Sequence, residues 1–383
     1  MTRCFADALS GQPWHPAAIQ AVRSATQSSW ADPAANYTEA GIARTLLEAS
    51  RVTVANALGV EPDQVVFRRS GADAAELAVG ITVAEAAARN PATGQVTALA
   101  SAVERRVVLE ALEGHCQLRL VPVDSTARAI TDPRDRRDHR DYRVPQAPER
   151  NEISAIQAAN IELGTLQPLT ELLESNEDRP DRSPALIDAT GALGLVPIPR
   201  LWTTLVADAA GWAGPREAAV VIGPADRLRP VPDSLGLPSI VATAAALDAV
   251  CREAPMHVPR LCRMADRVRA VVRNLPGTVL LGPERADQRL PHVIAFLARE
   301  LDVLWLQAEL DRAGVSVGSG SACSDRYGRA SHVLEAAGHP TKGSIRICLP
   351  WGITDEQLEH LLIELPAAVT RLRRQMGLDP NTG

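Results

Sequence analysis

Lysine is almost missing from this chain. Of its 40 basic residues, 39 are arginines, and Lys342 is the single lysine. A coding bias toward arginine accounts for lost surface lysines, but arginine cannot form a Schiff base. Lysine-amine chemistry is therefore confined to one position. Long apolar runs are missing too: none approaches the roughly 18 residues that suggest a membrane span. The opening Met1-Thr2-Arg3-Cys4-Phe5 runs into mixed sequence without the apolar core of a signal peptide. A cytoplasmic protein without membrane partners is the expectation. The six cysteines, at 4, 116, 251, 262, 323 and 348, form no C-x-x-C pair, and the eight histidines form no H-x-x-x-H. That argues against a disulfide framework and a zinc site, and no metal is expected. Cys251 and Cys262, with His257 between them, read as helix positions rather than ligands. A net charge of −6 without a basic face argues against nucleic acid.

What is present suits a large folded chain. With 383 residues, 46% of them hydrophobic, the chain exceeds what one core usually serves. The reading is a large domain over 16–245 and a smaller one over 246–383, with residues 1–15 packed against the second. Strands are expected at Gln64–Phe67, Gln95–Leu99, Gln117–Val123, Ile153–Ala158, Ala185–Ile187, Ala218–Ile222 and His292–Phe296. Helical periodicity over Gly41–Leu58 and Ala74–Arg89 alternates with them, which argues for an α/β fold with a mostly parallel sheet. Asp124–Arg150, with its mixed-charge DPRDRRDHRDYR core, reads as a solvated excursion or a partner-docking loop. Thr354-Asp355-Glu356-Gln357 reads as a capping box opening a last amphipathic helix.

Chemistry concentrates near the C-terminus. Gly314-Val315-Ser316-Val317-Gly318-Ser319-Gly320-Ser321-Ala322-Cys323-Ser324 reads as a short strand leading into a Gly/Ser loop that presents a thiol. Ser331-His332-Val333-Leu334 follows, then Gly343-Ser344-Ile345-Arg346, an arginine entering a strand. A guanidinium fork on a rigid element suits a carboxylate.

These segments resemble the C-terminal signature of cysteine desulfurases of the NifS/IscS type, in class V of the aminotransferase superfamily. Further motifs occur in family order: Asp7 through Pro13, Ser70-Gly71-Ala72-Asp73-Ala74-Ala75-Glu76, Ala158-Ala159-Asn160-Ile161-Glu162-Leu163-Gly164, and Asp188-Ala189-Thr190-Gly191. The resemblance implies the fold-type I PLP-transferase architecture, with a smaller C-terminal α/β domain, and a homodimer. It also implies roles. Cys323 would be the persulfide-forming nucleophile, Arg346 the substrate-carboxylate clamp, Asn160 a neighbour of the ring oxygen, and Asp188 the partner of the pyridinium nitrogen.

Other positions depart from the family pattern. Asp208-Ala209-Ala210-Gly211-Trp212-Ala213-Gly214-Pro215 stands where the family has S-A-H-K-x-x-G-P, which puts Gly211 at the Schiff-base lysine, Ala210 at the histidine and Asp208 at the serine. Asp73 replaces a phosphate-holding threonine, Arg105 the ring-stacking histidine, and Gly191 a glutamine. Arg229 through Gly236 compresses the segment whose threonine reaches the partner subunit's phosphate. Ser70-x-x-Asp73 is expected to cap its own helix with the Asp73 carboxylate, and the two aspartates to repel phosphate. Trp212 reads as pocket-filling bulk and Cys348 as a buried core thiol. The expectation is that no cofactor is used and that 73, 105, 188, 191, 208, 210 and 211 line a vestigial pocket. Sulfur transfer would run through Cys323 as a persulfide carrier, with a donor or acceptor protein as partner. The alternatives are a catalytically dead regulatory dimer beside an active desulfurase, and a desulfurase that uses PLP noncovalently.

Overall fold

The computed structural model describes residues 3–28, 30–89, 95–130, 152–174, 183–319 and 330–379. Cys323 and most of the Asp124–Arg150 excursion lie outside them. In chain order the elements are β1 Cys4–Ala6, α1 Pro16–Ser28, α2 Thr38–Leu58, β2 Val65–Arg68, α3 Gly71–Arg89, β3 Thr97–Ser101, α4 Arg106–His115 and β4 Gln117–Val121. β5 Glu152–Gln157, β6 Ala159–Asn160, β7 Thr165–Leu166, α5 Leu169–Glu174, β8 Ala185–Asp188, β9 Thr204–Asp208, β10 Ala219–Ile222 and α6 Ala225–Leu228 follow. The last third holds α7 Leu237–Arg273, β11 Thr278–Leu281, β12 Val293–Ala298, α8 Val303–Arg312, β13 Val315–Ser319, α9 His332–Ala336, β14 Ser344–Cys348 and α10 Asp355–Gln375.

Seven strands form the larger sheet in the order β2-β10-β9-β8-β5-β3-β4. From β9 to β4 every neighbouring pair is parallel, and β10 runs antiparallel to both its neighbours. Side chains alternate across a strand, and here both faces are covered. Phe67, Leu205, Ala207, Val220 and Ile222 point into the core shared with α7. Val66, Val206, Ala219 and Val221 point into a second core built on α3 and α4. Two-sided burial explains why these strands read as unbroken Val/Ile/Leu runs. Burying a side chain such as Phe67 contributes about 1.5–3 kcal/mol, and it is fully buried.

The second sheet has the order β1-β13-β14-β12-β11, with β1 and β13 parallel and the other pairs antiparallel. The first residues of the chain thus join a sheet made otherwise from its last third. α7 runs unbroken through residues 245 and 246 and packs on α1 and α2. The final capping box forms as read: Thr354 Oγ1 accepts from Gln357 N at 3.2 Å, and Gln357 Oε1 accepts from Thr354 N at 3.0 Å.

Four differences from the sequence reading have physical causes. β3 starts two residues after Gln95. β9 and β11 were missed because each holds only about one turn's worth of apolar residues, too short for periodicity to speak. The start of the Asp124–Arg150 segment is no solvated run: Asp124 Oδ1 accepts from Thr126 N and Arg128 N, and this turn buries Ala127, Ala129 and Ile130. Asp73 does not cap its helix. Ser70 Oγ accepts from Asp73 N at 3.1 Å, while the Asp73 carboxylate turns aside to Arg68 and to Ser234 Oγ at 2.7 Å.

Candidate functional site

Ligands of open parallel sheets meet the carboxyl ends of the strands, and the expected pocket residues gather there. Asp188 ends β8, Asp208 ends β9, and Glu104-Arg105 follows β3 at the start of α4. The Arg105 guanidinium joins the two aspartates. Its Nε donates to Asp188 Oδ2, and a terminal nitrogen donates to Asp208 Oδ2 at 2.7 Å. Asp188 is 2% exposed and also accepts from Thr190 N at 2.9 Å through its other oxygen. Thr190 Oγ1 in turn accepts from Asp208 N at 3.1 Å, so the two strand ends are tied together.

Asp208 also lies against the first turn of α3. A Cβ on Gly71 would sit 2.5 Å from Asp208 Oδ1, so only glycine allows this approach. A carboxylate here meets the positive end of the helix. Burial and the nearby Asp188 charge raise the Asp208 carboxyl above its ordinary value, with Arg105 opposing. At Asp73 burial pulls upward as well, but the hydrogen bonds from Arg68 and Ser234 outweigh it and hold that carboxyl low. Burial alone would lower Arg105, and Asp188 and Asp208 reverse the effect.

Glu104 is fully buried beside this cluster. Its burial, and then the Asp188 charge, push its carboxyl up to about 8. Its carbonyl faces His332 Nε2 at 2.9 Å, which ties α9 to the strand end carrying Arg105. Asn160 is held by backbone: Oδ1 accepts from Glu162 N at 3.1 Å and Leu163 N at 2.8 Å, and Nδ2 donates to Val103 O at 3.2 Å. Gly191 has a left-handed backbone, φ 75°, and faces Gly211: a Cβ on Gly211 would lie 3.0 Å from Gly191 N. Ala210 O accepts from Gln12 Nε2 at 3.0 Å. Trp212 is buried in the core against α7, where Nε1 donates to Thr243 O at 3.3 Å.

Arg346 belongs to a second cluster, in the smaller sheet. It is 7% exposed, and one terminal nitrogen donates to Asp7 Oδ1 at 2.9 Å and Ser10 Oγ at 3.1 Å. Buried His292 lies close enough for the Arg346 charge to act on it; burial first, then that charge, lowers its imidazole to about 4. Cys348 is buried on the same strand, and burial pushes its thiol up to about 12. Gly318 pairs with Arg346 and Ser319 with Ile345, so the strand preceding Cys323 ends four residues before it, beside Arg346. Lys342 is exposed, just before β14.

The sequence reading set Arg105, Asp188 and Asp208 in a vestigial pocket and made Arg346 a substrate-carboxylate clamp; the first three meet at one sheet edge, and Arg346 pairs with Asp7 and Ser10. It missed Glu104, Thr190 and the Asp7–Ser10 partners of Arg346. Asp7 and Thr190 sit inside motifs already singled out, and Glu104 directly precedes Arg105; the burial of Glu104 was the unread signal.

No family model matches the chain. Curated relatives do. A cysteine desulfurase IscS of Dictyoglomus turgidum is 25% identical, over 96% of this chain and 95% of that protein. An IscS-like cysteine desulfurase of Mycobacterium tuberculosis is 27% identical over 97% of each. Cysteine desulfurase IscS 1 of Archaeoglobus fulgidus is 28% identical, over 57% of this chain and 61% of its own length. Among solved structures, a NifS-like protein superposes with a TM-score of 0.81 at 20% identity, covering 97% of this chain and all of the other. The apo cysteine desulfurase of Thermococcus onnurineus NA1 gives 0.78 at 16%, covering 97% and 95%. The chain is a homologue of cysteine desulfurases and has the fold expected from its motifs. The expectation of no cofactor is corrected by the same finding, because full-length relatives are cysteine desulfurases, a PLP-dependent class. Among the described residues, no helix is long and apolar enough to cross a membrane.

Proposed function

We propose that this chain is a homodimeric sulfur-transfer protein of the desulfurase kind, which has lost the covalent hold on PLP and carries persulfide sulfur on Cys323. The observation that supports the reading is the fork of Arg105 onto Asp188 and Asp208. By resemblance, Asp188 would be the partner of a pyridinium nitrogen, and here a guanidinium from the chain itself holds it. The Asp208 carboxylate lies at the helix end that a phosphate would use. Gly211, at the motif position of the lysine, offers no amine, and a side chain there would meet the Gly191 backbone. This arrangement does not fit a lysine-held cofactor, and no step is routed through one.

The sulfur-transfer step is an exchange without net oxidation. The Cys323 thiolate attacks the outer sulfur of a donor persulfide, one S–S bond forms as another breaks, and the donor leaves as a thiolate. Arg346 beside β13 supplies positive charge near the strand that leads to Cys323. A second reading, a desulfurase that uses PLP without a lysine, draws on the retention of Asp188, Asn160 and Arg346. The third, a regulatory dimer without catalysis, is what remains if neither sulfur nor cofactor binds.

The test mixes the protein with an active cysteine desulfurase and free cysteine and reads the intact mass. Gain of one sulfur by the wild type, and none by Cys323→Ser, is the expected result. If Cys323 stays unmodified while a control acceptor is loaded in the same tube, the carrier reading falls. Absorbance and intact mass after addition of PLP separate the other two.

A further inference from the structure

The turn that joins α7 to β11 borders an open cavity of about 290 Å³, walled by Leu275, Pro276 and Val279 and lined as well by Arg273 and Arg299. The carbonyl end of a helix is negative and would repel an anion there. Here those carbonyls are already occupied. Ala270 O accepts from Asn274 Nδ2 at 2.8 Å, and Val271 O from Asn274 N at 3.0 Å. Val272 O accepts from Leu275 N at 3.1 Å and from Thr278 Oγ1 at 2.6 Å.

Arginine gathers around this cavity. Arg299 is exposed and makes no side-chain hydrogen bond or ion pair among the described residues. Its root is fixed, because Arg299 N donates to Gly277 O at 2.7 Å. Arg273 is 48% exposed and pairs with Glu284. One turn back on α7, buried Arg269 shares that carboxylate at 3.4 Å, and Arg289 pairs with Asp266. Burial first, then the Arg289 charge, holds the Arg269 guanidinium below its ordinary value, and Arg273 adds to the effect. Four arginines thus face two carboxylates, on a chain whose net charge is −6. Glu300, next after Arg299, is matched by Arg373 at 3.3 Å. Positive charge focused at a concave surface attracts anions.

We propose that this cavity binds a small phosphomonoester, with the phosphate between Arg273 and Arg299 and the organic part against Leu275, Pro276 and Val279. The two guanidiniums are rooted on different elements and present two forks. A tetrahedral phosphate offers each fork its own pair of oxygens, whereas a carboxylate has only one such edge. The cavity is also larger than a single phosphate group, which leaves room for an apolar body. The site shares no residue with the Arg105 or Arg346 clusters, so failure of sulfur loading and failure of this inference are separate results.

The probe is phenyl phosphate, titrated calorimetrically into the full chain at fixed ionic strength. Saturable one-to-one binding is expected, weakened at least about tenfold by Arg299→Ala through loss of a charged donor. Glu284→Gln releases Arg273 and should tighten binding. Benzoate, which lacks the tetrahedral head, and inorganic phosphate, which lacks the apolar body, should both bind more weakly than phenyl phosphate. Arg299 is exposed and holds no partner among the described residues, so Arg299→Ala should keep the wild-type urea midpoint. If that midpoint falls, Arg273→Gln removes the other fork: weaker binding supports the site and unchanged binding overturns it. The inference is also overturned if phenyl phosphate does not saturate, if a folded Arg299→Ala binds as tightly as wild type, or if Glu284→Gln does not tighten binding. Benzoate or inorganic phosphate binding as well as phenyl phosphate overturns it too.

Discussion

Two arginines sit at the heart of this molecule, and they are buried differently. Arg105 lies among an excess of acid: Asp188 and Asp208 share it, and Glu104 is buried alongside. Arg346 has one carboxylate, Asp7, one hydroxyl, Ser10, and a buried imidazole, His292, for company. The first cluster is acid-rich at the carboxyl ends of parallel strands, and the second is base-rich in the antiparallel sheet. The same side chain therefore neutralises in one place and must itself be neutralised in the other.

The largest consequence concerns stability. Breaking a buried pair leaves charge uncompensated, which costs about 3–5 kcal/mol. Arg105→Ala strands two carboxylates, one of them 2% exposed, and should fall in that range by urea denaturation. Should the variant prove nearly as stable as wild type, the aspartates are not held by Arg105 and the contrast is lost.

The next effect is a pH slope. Glu104 has its carboxyl pushed from 4.5 up to about 8 by burial and by Asp188. The folded state then holds a proton that the unfolded chain releases, so stability falls as pH rises from 4.5 to about 8. Glu104→Gln keeps the shape and removes the titration. Its stability should be flatter across that window, and its advantage over wild type should grow with pH. An unchanged slope would mean that Glu104 titrates alike in both states.

Arg346→Ala should cost less, about 1–3 kcal/mol, the penalty of leaving Asp7 and Ser10 short of their donor. Asp7, at 18% exposure, can recover water as Asp188 cannot. A loss equal to that of Arg105→Ala would erase the asymmetry between the clusters.

Much of this is legible in the sequence. Val/Ile/Leu runs marked strands buried on both faces, and the ordered motifs fixed the fold because each is a strand end or turn that the architecture needs. Arg105, Asp188 and Asp208 were each singled out. Their mutual pairing was not, because it depends on β8 and β9 lying side by side with Asp188 and Asp208 at their ends, and on Arg105 reaching them from the end of β3, with β5 between. Asp73 shows the same limit from the other side. Its spacing from Ser70 suits a local cap, but Arg68 and Ser234 offer stronger partners, and Ser234 is 161 residues away in sequence. Local pattern names the candidates; long-range pairing decides between them.

The smallest effect is also the sharpest test of the contrast, because it has the opposite sign. His292 is buried, with Nδ1 lacking a partner among the described residues, and burial together with Arg346 lowers its imidazole from 6.5 to about 4. In that window the unfolded chain binds a proton that the folded chain refuses. Stability then falls as pH drops from 6.5 to about 4. Glu104 works the other way, so between 4.5 and 6.5 the two slopes oppose and the wild type should be nearly level. His292→Asn should unmask the Glu104 slope, with stability rising as the medium is acidified toward 4.5. Glu104→Gln should unmask the His292 slope, with stability falling over the same range. Denaturation midpoints of the two variants, plotted against pH, should therefore diverge with opposite signs. If they run parallel, the acid-rich and base-rich clusters are not separate titrating centres, and the distinction between the two arginines has no energetic content.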